Sequence, residues 1–144
     1  MSKISPNHVD AEQVAWTGNP AYPPELRDVY RYKELIGPGA PDPSPVVASD
    51  VRMGMVELAE GAVYPLHAHP APEIYFVIAG TARWTIDDET FIASPGTAIR
   101  HRPNARHAMA NLGPGTLRLI YFWWTLEGDK AALFVGARLI GEQE

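Results

Sequence analysis

The chain contains no cysteine among its 144 residues. This absence excludes disulfide bonds and thiolate metal sites, so any metal ion must be held by histidine or carboxylate side chains. Positive charge is also scarce, because 12 lysine and arginine residues stand against 17 aspartate and glutamate residues, which gives a net charge of −5 at pH 7. Phosphate recognition needs a concentrated basic surface, and we therefore expect no nucleic-acid partner.

Long apolar runs are absent as well. No stretch approaches the length of a membrane span, and the first eight residues carry no hydrophobic signal-peptide core. We therefore predict no membrane partner and a cytoplasmic location. The hydrophobic fraction of 46% and the charged fraction of 20% are ordinary for a soluble globular protein, and the length corresponds to one domain.

The first 50 residues are rich in proline, which removes a backbone donor and fixes φ. Prolines stand at positions 6, 20, 23, 24, 38, 41, 43 and 45. Such a segment suits neither long helices nor central strands. We predict that residues 1–50 form an irregular arm that belongs to the same domain as the remainder. Within the arm, residues 26–36 are compatible with either an edge strand or a short helix.

From Val51 onward, short apolar runs are separated by glycine and proline at regular intervals. The predicted strands cover residues 52–58, 64–69, 73–79, 81–87, 90–93, 97–101, 106–110 and 117–126. This series of short strands with intervening turn signals predicts an all-β fold, a double-sheet jelly roll or small barrel. A helix of more than a few turns is compatible only with residues 129–140.

Histidine and glutamate cluster between residues 66 and 111. His67 and His69 are two residues apart, Glu73 follows shortly after them, and His107 lies on a later strand. Side chains at i and i+2 project from the same face of a strand, so His67 and His69 share one face, and Glu73 shares a face with Tyr75. If these faces turn into one barrel, three imidazoles and one carboxylate converge. We interpret them as ligands of one divalent transition metal ion (Fe, Mn, Zn, Ni or Co), with positions left open for a substrate.

Two motifs in this stretch resemble those of the cupin superfamily. The first consists of His67, His69, Glu73 and Gly80, and the second of Gly96, Pro103, His107 and Asn111. The family's usual proline-x-glycine is here Pro103-Asn104-Ala105; asparagine tolerates a left-handed turn, so we expect Asn104 to serve the same backbone need. The resemblance implies a cupin double-stranded β-helix, or jelly-roll barrel, over residues 51–144, preceded by the proline-rich arm.

Within the superfamily, the chain resembles the cupin dimethylsulfoniopropionate (DMSP) lyases. The points of similarity are the run from Glu73 to Gly80 that contains Tyr75, the pair formed by His101 and His107-Ala108-Met109, and Phe122-Trp123-Trp124. The resemblance covers roughly residues 64–129. It implies a metal-dependent carbon-sulfur lyase that converts DMSP to dimethyl sulfide and acrylate, with the small carboxylate substrate on the metal and Tyr75 removing the α-proton.

Tyr75 is thus the predicted catalytic base. A free tyrosine has a pKa near 10 and is a poor base at neutral pH, whereas a nearby cation favours the phenolate. The alternative is that Tyr75 fills the barrel and hydrogen-bonds a ligand.

The sulfonium end of DMSP carries positive charge and methyl groups, for which aromatic faces are the expected partners. The candidate substrate-binding residues are Tyr64, Trp84, His101, Met109, Tyr121 and Trp123. Alternation places Tyr121 and Trp123 on one face and Phe122 and Trp124 on the other, so only one pair can line the barrel. Any single aromatic residue is equally compatible with an ordinary core position, and His101 with an exposed turn.

Two other functions are compatible with the same ligands. Three histidines and a glutamate also serve metal-dependent cupin dioxygenases and oxidases, in which Tyr75 would only shape the pocket. A third possibility is a cupin that binds a small molecule without chemistry. We also predict a homodimer, because an apolar outer strand face and a proline-rich arm need cover.

Overall fold

The computed structural model of the protein describes residues 4–5, 8–38, 50–125 and 130–141. In these residues the chain forms two five-stranded antiparallel sheets and one two-stranded ladder. The strands are β1 (Ile4–Ser5), β2 (His8–Val9), β3 (Tyr30–Ile36), β4 (Val51–Leu58), β5 (Val63–Ala68), β6 (Glu73–Ala79), β7 (Ala82–Ile86), β8 (Glu89–Ala93), β9 (Ala98–His101), β10 (His107–Asn111), β11 (Leu117–Trp124) and β12 (Arg138–Leu139). The predicted all-β jelly roll is confirmed.

Each large sheet contributes one face to a common core. The strand order is β12-β5-β10-β7-β8 in one sheet and β3-β4-β11-β6-β9 in the other. Buried side chains from both sheets, such as Trp84 and Met109 from the first and Val77 and Leu119 from the second, form a single hydrophobic cluster. The fold is therefore a closed sandwich whose interior is shared by the two sheets.

Strict alternation of burial along β6 and β11 determines which side chains enter this interior. Glu73, Tyr75 and Val77 are buried, whereas the residues between them on β6 are exposed. On β11, Tyr121 is buried and the following Phe122 is exposed. This is the period of two that a sheet with one buried face requires.

The register of the second sheet aligns inward-facing residues in rows across the strands. One row runs through Arg52, Trp123, Glu73 and His101. The next row runs through Glu34, Gly54, Tyr121, Tyr75 and Ile99. Residues from strands far apart in the sequence are thereby placed side by side on one interior wall.

Within the first part of the chain, residues 8–38 are more ordered than their proline content predicts. Residues 26–36 contain the end of a short helix, α1 (Pro24–Arg27), and the whole of strand β3, so each of the two alternatives holds for part of the segment. Pro24 occupies the first helical turn, where its missing N–H costs no hydrogen bond. β3 pairs with β4 and forms one edge of the second sheet, so the arm supplies a strand of the sandwich.

The longer helix that the sequence allows over residues 129–140 does not form in the described part of this segment, residues 130–140. A 3-10 helix covers Lys130–Phe134, and the chain then extends into β12, which pairs antiparallel with β5. Ala132 and Leu133 bury one turn against Ala71, after which Gly136 interrupts the apolar pattern. Pairing with β12 satisfies backbone groups at the edge of β5 that a helix would leave open.

Two backbone features complete the framework. Asn104 has a φ of 61°, which confirms the left-handed turn predicted for it. The turn precedes β10 and sets the direction in which His107 enters the interior. Among the described residues, none of the helices has the length and apolar character needed to cross a bilayer.

Candidate metal centre and tyrosine-lined cavity

Three predicted metal ligands meet in the interior. His69 follows β5, Glu73 begins β6 and His107 begins β10, and one ligand atom of each lies within 4.8 Å of the others. All three side chains are buried. Two imidazoles and a carboxylate at this separation could hold a divalent transition metal and leave coordination positions open.

The histidine tautomers are set by backbone carbonyls. The Nδ1 of His107 lies 2.9 Å from the carbonyl oxygen of Ala105, and the Nδ1 of His67 lies 2.7 Å from that of Pro65. A carbonyl can only accept, so each Nδ1 donates, and each Nε2 carries a lone pair when the imidazole is neutral. Both Nε2 atoms are buried without a hydrogen-bond partner among the described residues. Such orphaned lone pairs fit a metal ion, and metal-binding imidazoles are usually oriented by donating the other ring N–H to a backbone carbonyl or carboxylate.

His67 lies beside this group but outside it. Its ring stacks on Tyr64, with centroids 3.7 Å apart and planes 7° from parallel, and its centroid is 4.0 Å from that of His107. Burial lowers the pKa of His67 well below its usual value, so its imidazole is neutral, as a ligand must be. A role for His67 as fourth ligand stays a prediction.

Glu73 is the charged centre of the site. Its Oε1 lies 3.1 Å from Nε2 of His69 and 3.3 Å from Nε2 of His107, and its Oε2 accepts a hydrogen bond of 2.5 Å from Trp123 Nε1. Burial acts to raise the pKa of this carboxyl, but the adjacent His69 and His107 outweigh burial and hold it well below its usual range. The carboxylate therefore remains ionised in the interior.

Tyr75 faces the same interior two residues further along β6. Its ring makes edge contacts with Trp84 and His101, at centroid distances of 5.3 and 5.4 Å. Burial, followed by the negative charge of Glu73, raises the pKa of Tyr75 well above 10. Without a cation nearby the side chain is a neutral phenol; a divalent cation held by the neighbouring ligands would act in the opposite direction.

A cavity of about 90 Å³ opens beside these residues. All six tyrosines of the chain line it, namely Tyr22, Tyr30, Tyr32, Tyr64, Tyr75 and Tyr121. His67, His69, Glu73 and Trp123 also belong to its wall. Aromatic faces around a charged group suit a small ligand that carries both methyl groups and charge.

The predicted substrate-binding residues divide into two groups. Tyr64, Tyr121 and Trp123 line the cavity. Trp84, His101 and Met109 are buried in the surrounding core and are not part of the lining. The part that any of these six residues plays in binding a substrate stays a prediction.

His101 is not exposed at a turn. It is buried at the end of β9, and its Nε2 accepts a hydrogen bond of 2.9 Å from Trp84 Nε1. Its ring centroid is 4.3 Å from that of His107. His101 therefore packs behind a candidate ligand.

The sequence reasoning missed the arm's contribution to the cavity. The arm and the start of β4 supply six further lining residues, namely Asn19, Tyr22, Tyr30, Tyr32, Glu34 and Arg52. A signal existed, since every second residue in Tyr30-Arg31-Tyr32-Lys33-Glu34 belongs to the lining. Recognising it required the choice of strand over helix for this segment.

A protein-family model described as a cupin domain matches residues 54–124, a range that contains His67, His69, Glu73, Tyr75 and His107. With the jelly-roll sandwich and the buried ligand group, this match identifies the class of protein. The chain belongs to the cupin superfamily.

Within that superfamily, the chain is similar to DMSP lyases. It is 33% identical over 94 residues to the dimethylsulfoniopropionate lyase DddQ of Ruegeria pomeroyi, an overlap of 65% of this chain and 45% of that protein. It is 30% identical over 115 residues to DddL of Cereibacter sphaeroides, which is named provisionally for the same activity, an overlap of 78% of this chain and 47% of that protein.

The structural comparison agrees. A chain from the crystal structures of the DMSP lyases RdDddP and RnDddQII superposes with a TM-score of 0.73 at 25% identity, covering 89% of this chain and 63% of that chain. The protein described here spans about half the length of the curated relatives that it matches.

Proposed function

We propose that the protein is a metal-dependent lyase that cleaves DMSP to dimethyl sulfide and acrylate. The observation that carries the proposal is that Tyr75, His69 and Glu73 line one buried cavity, with a ligand atom of His107 within 4.8 Å of those of His69 and Glu73. The similarity to DMSP lyases supports the choice of substrate.

His69, Glu73 and His107 would hold the divalent cation, with His67 as a fourth ligand. When bound, the cation supplies Lewis-acid chemistry, which polarises the substrate carboxylate and stabilises negative charge that develops at the α-carbon. The hydrogen bond from Trp123 to the free oxygen of Glu73 fixes the carboxylate, and the Ala105 carbonyl fixes the ring of His107. These contacts keep the ligands in place before the substrate enters.

Tyr75 is the proposed base. Its phenolate oxygen takes the α-proton of DMSP, the electron pair of that C–H bond forms the carbon–carbon double bond, and the bond between the β-carbon and sulfur breaks with its pair on sulfur. The products are acrylate and neutral dimethyl sulfide, and the proton on Tyr75 returns to solvent. Because burial favours the neutral phenol, the reaction depends on a cation near Tyr75 to form the phenolate.

The tyrosines around the cavity would contribute in two ways, by contacting the sulfonium group and by excluding water. The faces of Tyr64, Tyr121 and Trp123 are available to the sulfonium methyl groups. Exclusion of water strengthens electrostatic interactions within the site.

We further propose that the protein is a cytoplasmic homodimer. The outer face of the second sheet exposes Ile74, Phe76 and Ile78 on β6 and Phe122 on β11. A contiguous apolar face of this kind is typical of an association surface. Light scattering of the purified protein tests the assembly; a monomer at all concentrations would contradict it.

The test of the lyase is a headspace assay for dimethyl sulfide with protein loaded separately with iron, manganese, cobalt, nickel or zinc. We expect release with at least one metal and a rate that Tyr75→Phe lowers about 100-fold or more without changing metal content. Tyr30→Phe, which removes a hydroxyl from the arm side of the same cavity, is the control and should cost less than about tenfold.

Release that persists in Tyr75→Phe would show that another group is the base. No release with any metal would contradict the lyase proposal. In that case oxygen consumption with phenolic or diketone substrates would support the dioxygenase alternative, and binding without turnover would support a non-catalytic cupin.

A further inference from the structure

Glu34 is a buried charge that the proposed chemistry leaves unused. It lies on β3 in the arm, its exposed fraction is 3%, and it belongs to the wall of the cavity. Its Oε1 pairs with Nε of Arg52 at 2.5 Å. Its Oε2 is buried and has no hydrogen-bond partner in the described part of the chain.

The ion pair with Arg52 accounts for only one of the two carboxylate oxygens of Glu34. Arg52 is engaged elsewhere, because its Nη1 donates to the carbonyl oxygen of Leu133 at 2.7 Å and its guanidinium lies over the ring of Trp123, 5.8 Å from the centroid. One oxygen of Glu34 therefore satisfies Arg52 while the other remains without compensation. A buried charged oxygen is costly to leave unpaired, so the cavity favours an occupant that complements it.

The position of Glu34 defines where that occupant would lie. Glu34 and Tyr75 belong to one row of inward-facing residues, with Gly54 and Tyr121 between them. Gly54 has no side chain, and a Cβ built on it would lie 2.8 Å from the hydroxyl oxygen of Tyr121, so the tyrosine occupies the space that glycine leaves. Glu34 thus faces the cavity from the arm, and Tyr75 faces it from the side of the metal ligands.

The surroundings of Glu34 favour a cation without N–H groups. Tyr32 and Tyr121 line the cavity beside it, with ring centroids 6.4 Å apart and planes at 75°. Burial, followed by the charge of Glu34, raises the pKa of Tyr121 well above 10, so its ring is a neutral phenol. Neutral aromatic faces with one carboxylate oxygen form a cage suited to a sulfonium or quaternary ammonium group.

We propose that Glu34 is a specificity-determining residue whose free carboxylate oxygen, together with Tyr32 and Tyr121, receives the positively charged end of a zwitterionic substrate. The identity of that end as the sulfonium of DMSP rests on the proposed function. The charge selectivity itself does not, and it can be measured without turnover.

The experiment compares two ligands of the same shape on the metal-loaded full chain. One is β-alanine betaine, which carries a trimethylammonium group, and the other is its carbon isostere, 4,4-dimethylpentanoate, which carries a neutral tert-butyl group. Calorimetry should give at least about tenfold tighter binding of the betaine to the native protein. Glu34→Gln should reduce this ratio to within about threefold by weakening the betaine alone.

Glu57→Gln is the matched control. Glu57 is also buried on the second sheet and paired with arginines, Arg31 and Arg118, but it lies outside the cavity wall. Its substitution should leave the ratio unchanged. If Glu34→Gln does not fold, Glu34→Asp is the second variant, because it keeps the charge and withdraws it by one methylene. We expect an intermediate ratio of betaine affinity to isostere affinity. A native ratio in that variant would overturn the proposal.

A ratio that Glu34→Gln leaves unchanged, a native protein without charge preference, or a native protein that binds neither ligand would each overturn the inference. Failure of the lyase proposal is distinguishable from these results. If the native protein releases no dimethyl sulfide but prefers the betaine, and Glu34→Gln abolishes that preference, the proposed reaction is contradicted and the role of Glu34 is retained. Release of dimethyl sulfide with an unchanged KM in Glu34→Gln would contradict the role of Glu34 and retain the reaction.

Discussion

The cavity has two walls of different origin. The barrel wall contains His69, Glu73 and Tyr75, and His107 completes the candidate ligand group from outside the cavity lining. The arm wall comes from residues 19–34 and contains Tyr22, Tyr30, Tyr32 and Glu34. The barrel wall carries groups that could take part in a reaction. The arm wall carries groups that could bind the charged end of a substrate. Under both proposals, the base and the candidate ligands come from the barrel whereas Glu34 comes from the arm, so substitutions can test the reaction and the charge selectivity separately.

The largest expected effect concerns the barrel wall. His69→Ala removes one of three candidate ligands, and we expect the affinity for the metal to fall by more than the 10–100-fold typical when a residue that only orients a ligand is replaced. Metal content after dialysis, measured by atomic emission, reports the loss. His8→Ala, at an exposed histidine, should retain the native metal content. Full metal occupancy in His69→Ala would show that the ligand group is misassigned.

A smaller effect is expected where the arm wall docks on the barrel. A Cβ at Gly54 would lie 2.0 Å from the carbonyl oxygen of Lys33 and 2.8 Å from the Tyr121 ring, so Gly54→Ala forces β3 away from β4. Overpacking of this kind costs about 1–3 kcal/mol in the free energy of unfolding. The corresponding fall in Tm is several degrees, and calorimetric scans measure it.

Gly136→Ala is the control for this substitution, because no atom of the described residues lies within 4 Å of a Cβ built there. It should leave Tm nearly unchanged. A Gly54→Ala protein as stable as the native one would mean that β3 is not held against β4 as described, and the arm wall would lose its basis.

The effect that is smallest at neutral pH concerns the core behind the barrel wall. Burial lowers the pKa of His101 to about 3. An unfolded histidine titrates near 6.5, so between these values the unfolded chain binds a proton that the folded chain excludes. The free energy of unfolding of the metal-free protein should therefore fall as the pH decreases from about 6.5, with His101 contributing about 1.4 kcal/mol per pH unit.

His101→Gln removes this titration and keeps an acceptor for Trp84 Nε1. Urea unfolding between about pH 4 and pH 7 should show a shallower acid decline in the variant, by about the slope of one proton. The exposed His8→Gln is the control. Identical slopes in the native protein and His101→Gln would show that His101 is not held neutral in the core.

The barrel wall could be predicted because its information is local. His67 and His69 are separated by the strand period of two, and Glu73 follows them after a short turn. The turn at Asn104 precedes the strand that carries His107. Tyr75 follows from the same alternation. Whether His67 binds the metal depends on where its Nε2 points, which spacing alone does not determine.

The arm wall could not be predicted because its position depends on register. Tyr30, Tyr32 and Glu34 share a face only if the segment is a strand, and they reach the cavity only because β3 pairs with β4 so that Glu34 aligns with Gly54. No local signal fixes that alignment. The same limitation applies to the longer helix that the sequence allows over residues 129–140. Arg138–Leu139 instead pair with β5 as strand β12, a long-range contact that the local sequence does not indicate.

The most direct test of the two-wall account is a crystal structure of the metal-loaded protein with β-alanine betaine. The account predicts the carboxylate of the ligand at the ion held by His69, Glu73 and His107, and the trimethylammonium group beside Glu34. A ligand bound in the reverse orientation, or outside the cavity, would contradict it.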